Sequence, residues 1–239
     1  RNHRLMSALI RFDPDTTSRQ RRGGWRTTRG LRTGWLVSLP MPRLFLGIPV
    51  PASSGLVAAA DALAVVDLEA SAMRLAPVPD HQWNLAWAFL GFVPDEQVGE
   101  LREAVSSCVA RLRQDGLDAT LRVSGVGCIG GPVWAGIEFR HEGARAALDG
   151  ARKDALSSFG WSESRAWDPH LTLGRAKTAR DSGVKFVKRR PLKAALSDWL
   201  TAQSGLREAW VEQPELVLFE SKLTPHGATH TAVERWSLA

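Results

Sequence analysis

From Met41 onward the chain alternates short runs of period two with longer runs of period near 3.6, and each change of period marks a new element. Residues 43–48 read as a strand closed by Pro49 and Pro51, and residues 54 to about 69 as a helix rich in Ala, Leu and Val. A second strand is predicted at 85–90. After Gly91 and Pro94, the residues Val98, Leu101, Val105, Cys108, Val109 and Leu112 fall on one stripe with charges elsewhere, the mark of an amphipathic helix lying on a sheet. Strands follow at 120–123 and 133–139, separated by a turn region holding Gly125, Gly127, Gly130, Gly131 and Pro132. A helix at about 143–159, a strand at 171–174, a short helix near 194–200 and strands at 216–221 and 233–238 complete the pattern.

Strands alternating with one-sided helices imply an α+β or α/β unit, and the order strand, helix, strand recurs in each half. The segments Asn84-Leu85-Ala86-Trp87-Ala88-Phe89 and His170-Leu171-Thr172-Leu173-Gly174-Arg175 sit at corresponding places, so an internal pseudo-repeat is expected.

With 239 residues and 44% hydrophobic content the chain has enough apolar side chain for one large core or two small ones, and residues 41–239 are expected to form a single domain. No stretch approaches the roughly 18–20 consecutive apolar residues of a membrane span, and the N-terminus lacks the apolar region of a secretory signal. A soluble cytoplasmic protein follows as the expectation. Two cysteines, Cys108 and Cys128, lack metal-type spacing and read as small buried residues.

The net charge of +6 is not spread evenly. Residues 1–40 hold nine arginines against two aspartates, which leaves 22 basic against 23 acidic residues from 41 onward. A basic-protein argument for nucleic acid therefore concerns the tail alone. That tail has no sustained period and is expected to be disordered. It reads as a basic arm, an Arg-rich targeting peptide or, best, sequence upstream of a native start at Met41, which runs directly into a strand.

In Pro169-His170-Leu171-Thr172-Leu173 a period of two sets His170 and Thr172 on one face and the leucines on the other. An imidazole that titrates near neutrality beside a hydroxyl donor can move a proton and grip a phosphoryl oxygen. Taken alone, such a dyad also fits the polar face of an edge strand.

Residues 43–239 resemble the 2H phosphoesterase superfamily, in the branch that opens RNA 2′,3′-cyclic phosphates. The opening Arg43-Leu44-Phe45-Leu46-Gly47-Ile48-Pro49 looks like the family's first strand, Asn84 to Gly91 like its first motif (His-Leu-Thr-Leu-x-Phe-Leu-Gly), and Pro169 to Arg175 like its second. Glu220-Ser221-Lys222-Leu223, Gly227 and Trp236-Ser237-Leu238 are similar to its last two strands. The resemblance implies a bilobal α+β fold of pseudo-twofold symmetry, with two antiparallel sheets facing a central cleft and helices outside. It also implies hydrolysis of a terminal 2′,3′-cyclic phosphate to the 2′-phosphomonoester without metal or cofactor, by a chain expected to be a monomer. In that scheme His170 activates water and the first-motif histidine protonates the leaving 3′-oxygen.

The first motif departs from this pattern, because Asn84 stands where the family has His and Ala86 where it has Thr. Asn84 can donate an amide hydrogen bond to a phosphate but cannot pass a proton, and Ala86 can do neither. Loss of the general acid costs about 10²–10⁴-fold in rate. A cyclic phosphodiesterase of weakened activity is one reading; a non-catalytic binder of RNA ends or nucleotides is the other. His81 sits an odd number of residues before Asn84 in a proline-flanked loop, a poor place for a substitute acid, while His141, His226 and His230 read as surface or loop residues. Arg175 is a candidate phosphate contact, although its odd offset from Thr172 requires the strand to bend near Gly174. Phe45, Trp87 and Trp134 are candidates to stack on a base, with core packing the better reading for each. The basic run Lys185, Lys188, Arg189, Arg190 is a candidate track for an RNA backbone.

Overall fold

The structure is a computed structural model that describes residues 41–163, 165–178, 187, 189–224 and 227–239. The predicted tail 1–40, Lys185, Lys188 and His226 lie outside these residues. In chain order the elements are β1 (Arg43–Pro49), α1 (Ser54–Ala64), β2 (Met73–Pro77), β3 (Asn84–Phe92), α2 (Asp95–Gln114), β4 (Leu121–Cys128), β5 (Pro132–Phe139), α3 (Ala144–Ser157), β6 (His170–Thr178), α4 (Arg189–Ala195), α5 (Ser197–Ala202), β7 (Glu215–Thr224) and β8 (Gly227–Ser237).

All strand pairings are antiparallel, in the order β4-β5-β6-β3-β1-β7-β8, with β2 pairing the later part of β6 along the edge that β3 meets at Leu171. The strands form one eight-stranded sheet, and its two four-stranded halves, β8-β7-β1-β3 and β2-β6-β5-β4, stand in place of the two sheets expected. Among the described residues they join where β3 meets β6, through the pair Leu85 and Leu171. Those two leucines occupy equivalent places in the repeated motif, so the pseudo-twofold relation passes through their contact.

Alternate residues turn one face of the sheet to the helices. Leu44, Leu46 and Ile48 of β1, with Leu85 and Leu171, join Leu56, Leu63, Leu101, Val105, Leu148 and Leu156 of the helices in one buried cluster. Helix α1 starts where Ser53 Oγ accepts the Leu56 N–H at 3.3 Å. Helix α2 starts after Pro94, with Asp95 and Glu96 in its first turn and Arg111 and Arg113 in its last, as the helix dipole favours. Its predicted stripe is the buried one, with Val98 packed at the margin. Cys108 and Cys128 are both buried. No helix among the described residues is long and apolar enough to cross a membrane.

Four sequence expectations need correction. Helix α1 stops at Ala64, and a separate 3-10 turn covers Glu69–Ser71. The predicted helix near 194–200 is two short ones, α4 and α5. Strand β2 was not anticipated. Strand β4 runs through Gly125 and Gly127 to Cys128 instead of ending at Val123. Gly125, at φ 72°, carries an irregularity in the β4–β5 register, and the Trp134 indole lies where a side chain on Gly127 would have to be.

Candidate active site

The two motif strands carry the same backbone irregularity. On β3, Gly47 is opposite Ala86 and Leu46 opposite Ala88, so Trp87 is an extra residue. On β6, Trp134 is opposite Thr172 and Val133 opposite Gly174, so Leu173 is the extra one. Trp87 and Leu173 are the fourth residues of their strands, and each makes a β-bulge. Burial follows suit, with the first seven positions alternating identically in β3 and β6. A bulge inverts the alternation beyond it, and this brings Arg175 to the same face as Thr172. The bend that the sequence required near Gly174 is therefore present. In β3 the same device turns Phe89 to the face of Ala86.

This open face, opposite the helices, holds the candidate residues. His170 is half-buried, and its Nδ1 lies 2.8 Å from the Asp168 carbonyl oxygen. A carbonyl only accepts, so Nδ1 carries the hydrogen, and the neutral ring has its lone pair on Nε2. Arg145 steadies the segment before it, donating from Nε to the Trp167 carbonyl at 2.8 Å and from Nη2 to the Asp168 carboxylate at 3.3 Å. Trp167 in turn donates from Nε1 to the Ala86 carbonyl at 2.9 Å, tying the approach to His170 onto β3. Thr172 is half-buried beside Trp134, and its hydroxyl makes no hydrogen bond among the described residues.

Asn84 reproduces half of the His170 arrangement. Its Nδ2 donates to the carbonyl of Gln82, two residues back, at 2.8 Å, as His170 Nδ1 does to Asp168. Its Oδ1 lies over Gly47, where an added Cβ would come within 3.1 Å of it. The amide thus keeps the anchoring hydrogen bond of an imidazole and lacks the second nitrogen. Ala86 is half-buried and offers no polar group.

Phe45, a candidate to stack on a base, is core instead and not available to one. It is 3% exposed, stacked on Phe219 at 4.9 Å between ring centroids and met edge-on by His230 at 4.8 Å. The exposed ring of that group is Phe89, at 64%, with its centroid 5.9 Å from that of Phe45. Phe89 escaped the sequence reading because strict alternation from Ala86 points it away from the site; only the bulge reverses this. Trp87 is core, donating from Nε1 to the Leu148 carbonyl at 3.1 Å. Trp134 is half-buried on the open face, 6.2 Å from the His170 ring. His230 is neither a surface nor a loop residue: it lies in β8, and its Nδ1 is enclosed without a hydrogen bond among the described residues. His81 is exposed in a 3-10 turn next to Asp80, and His141 is exposed just past β5. No cluster of three or more His, Cys, Asp or Glu side chains suited to a metal is found among the described residues.

No protein-family model matches this chain, and no curated protein matches its sequence. Solved structures do resemble it. A crystal structure of a phosphoesterase aligns with TM-score 0.53 at 20% identity, over 83% of this chain and 98% of the other. A protein of Thermus thermophilus aligns with TM-score 0.51 at 22% identity, over 82% and 97%. E. coli LigT complexed with 3′-AMP aligns with TM-score 0.50 at 20% identity, over 83% and 98%. With these neighbours and two equivalent motif strands meeting at Leu85 and Leu171, the chain has the α+β fold of the 2H phosphoesterases.

Proposed function

We propose that the protein is an RNA 2′,3′-cyclic phosphodiesterase of the 2H type that retains one working half of its site. The observation that carries this reading is the tautomer fixed at His170: with Nδ1–H held by the Asp168 carbonyl, Nε2 is the base, on the face shared with Thr172 and Arg175. A water deprotonated by Nε2 attacks phosphorus, the new P–O bond forms as the P–O3′ bond breaks, and the product is a 2′-phosphomonoester with a free 3′-hydroxyl. Thr172 and Arg175 donate to the non-bridging oxygens as charge builds there. Asn84 holds the leaving side by an amide, so the proton for O3′ comes from solvent. Phe89 is the aromatic face for the terminal base, in place of Phe45. No step calls for a metal or an organic cofactor. E. coli LigT, of similar fold, has been crystallised with 3′-AMP and with ATP, which supports a nucleotide ligand for this face.

The absence of a proton donor at Asn84 and of a hydroxyl at Ala86 favours one alternative, a binder of RNA ends that no longer turns over. Hydrolysis of a nucleoside 2′,3′-cyclic phosphate in the presence of EDTA decides between the two. The expected result is slow release of 2′-phosphate that His170→Ala lowers by at least about 10²-fold. Binding with no release favours the binder, and an unchanged rate in the variant would assign the activity to a contaminant.

A further inference from the structure

Beyond Arg175 the open face of β6 continues into two more cations. Lys177 lies two residues further on, about 7 Å at the rise of a strand, and the β2 register sets Arg74 directly across from it. Arg74, Arg175 and Lys177 are all exposed, and none pairs with a carboxylate among the described residues. Several arginines of the same half are matched: Arg122 and Arg207 share Glu138, Arg140 bonds Glu212 and Arg145 bonds Asp168. Like charges directly opposite each other on paired strands repel. Packing gives nothing back for that repulsion, since the core contacts of β2 come from Met73 and Leu75 on its other face. A bound anion would remove it.

Resting on the reading of His170 and Thr172 as the seat of the cyclic phosphate, we propose that Arg74 and Lys177, reached through Arg175, form a second phosphate subsite. Its occupant is the internucleotide phosphodiester on the 5′ side of the terminal nucleotide. The substrate is then an RNA strand in preference to a free cyclic nucleotide. The matching place in the other half of the sheet, beyond the β3 bulge, holds Phe89 and Phe92 in place of Arg175 and Lys177, with Arg43 directly across from Phe92.

Three ligands, titrated into the full chain and into an Arg74→Gln/Lys177→Gln variant, test this: a nucleoside 2′,3′-cyclic phosphate, the same nucleotide bearing a 5′-phosphate, and a dinucleotide ending in the cyclic phosphate. The dinucleotide is expected to bind about tenfold tighter than the plain cyclic nucleotide, with a log–log salt dependence steeper by about 0.7 for each further phosphate that the cations neutralise. The variant should lose both differences and keep the affinity for the plain cyclic nucleotide. Its melting temperature should match or exceed that of the wild type, because a repelling pair is gone. Equal affinities for all three ligands would overturn the subsite and leave the His170 reading intact. A gain for the 5′-phosphate alone would overturn the strand as occupant. Failure of the plain cyclic nucleotide to bind would sink the His170 reading itself, and the subsite with it. A lowered melting temperature in the variant would assign the cations a structural role instead.

Discussion

Strands β3 and β6 present one backbone device twice, a strand with an extra residue at its fourth position, yet the two copies carry different chemistry. Before the bulge, β6 has His170 and Thr172 where β3 has Asn84 and Ala86. After it, β6 has Arg175 and Lys177 while β3 has Phe89 and Phe92. The C-terminal half is equipped for protons and anions, the N-terminal half for an aromatic surface. The core side differs in size and not in polarity: Leu85 and Leu171 are the same residue and both fully buried, and buried Trp87 stands where β6 has buried Leu173. A duplicated fold can thus hold its frame constant while dividing labour between its halves.

The strongest way to break this comparison is to make the halves alike again. Asn84→His with Ala86→Thr returns a proton donor and a hydroxyl to β3. The new imidazole can inherit the hydrogen bond that Asn84 makes to the Gln82 carbonyl, which would leave Nε2 free to serve O3′. Hydrolysis of a cyclic nucleotide is expected to rise by about 10²–10⁴-fold in initial-rate assays. A gain of less than about tenfold would mean that the two strands do not act on one phosphorus.

The bulges also differ in what holds them. The carbonyl of Trp87 is met at 2.8 Å by Nη1 of Arg152, a buried arginine whose other nitrogens bond Asp149. The carbonyl of Leu173 is met at 2.9 Å by a backbone N–H, that of Val78. Burial works against the Asp149 charge, but its bonds to Lys153 and Arg152 prevail and hold its carboxyl below the usual range. Arg152→Met strands the Trp87 carbonyl and weakens that pairing, at a cost of about 3 kcal/mol. The melting temperature should fall by about 5–10 °C. No side-chain substitution can undo the Leu173 bulge in this way, so the N-terminal half should be the more fragile to point mutation.

How much of this was legible in the sequence follows the same division. His170 and Thr172 stood out because alternation around Leu171 is unbroken, and the α2 stripe because helical spacing needs no partner to be seen. Strand β2 was not legible: five residues ending in proline, with Arg74 as its one polar side chain, show no pattern until β6 supplies a neighbour. The bulges were invisible for a related reason. An extra residue is defined only against the opposite strand, so the placing of Phe89 and the burial of Phe45 waited on the register. Asn84 could be identified as a replacement, but its histidine-like anchor on Gln82 depends on a turn that propensities do not specify.

A third, smaller test bears on the aromatic half. Base stacking on a single ring contributes about 1–3 kcal/mol, and Phe89 offers one face, since its inner side leans on Phe45. Phe89→Ala should weaken binding of a cyclic nucleotide by about tenfold, measured by calorimetry, with little change in the turnover of bound substrate. Equal affinity in the variant would place the base elsewhere and remove the functional reason for the aromatic half.

The smallest expected effect concerns His230, which packs beneath that surface against Phe45 and Phe219. Burial pushes its pKa down, with the Arg43 charge acting in the same direction and the Thr229 backbone opposing. The unfolded chain then binds this proton more readily than the folded one. Stability should fall as pH drops below the ordinary histidine value of about 6.5 and stop falling once the depressed folded value is passed. His230→Leu removes both the titration and the enclosed Nδ1 that lacks a partner, so the variant should gain no more than about 1 kcal/mol on the acid side, its partial exposure limiting the effect. Denaturant melts at pH 5 and pH 8 measure it. A loss equal at both values would mean that the imidazole matters for its shape, and that the N-terminal half is an aromatic packing unit whose charge state plays no part.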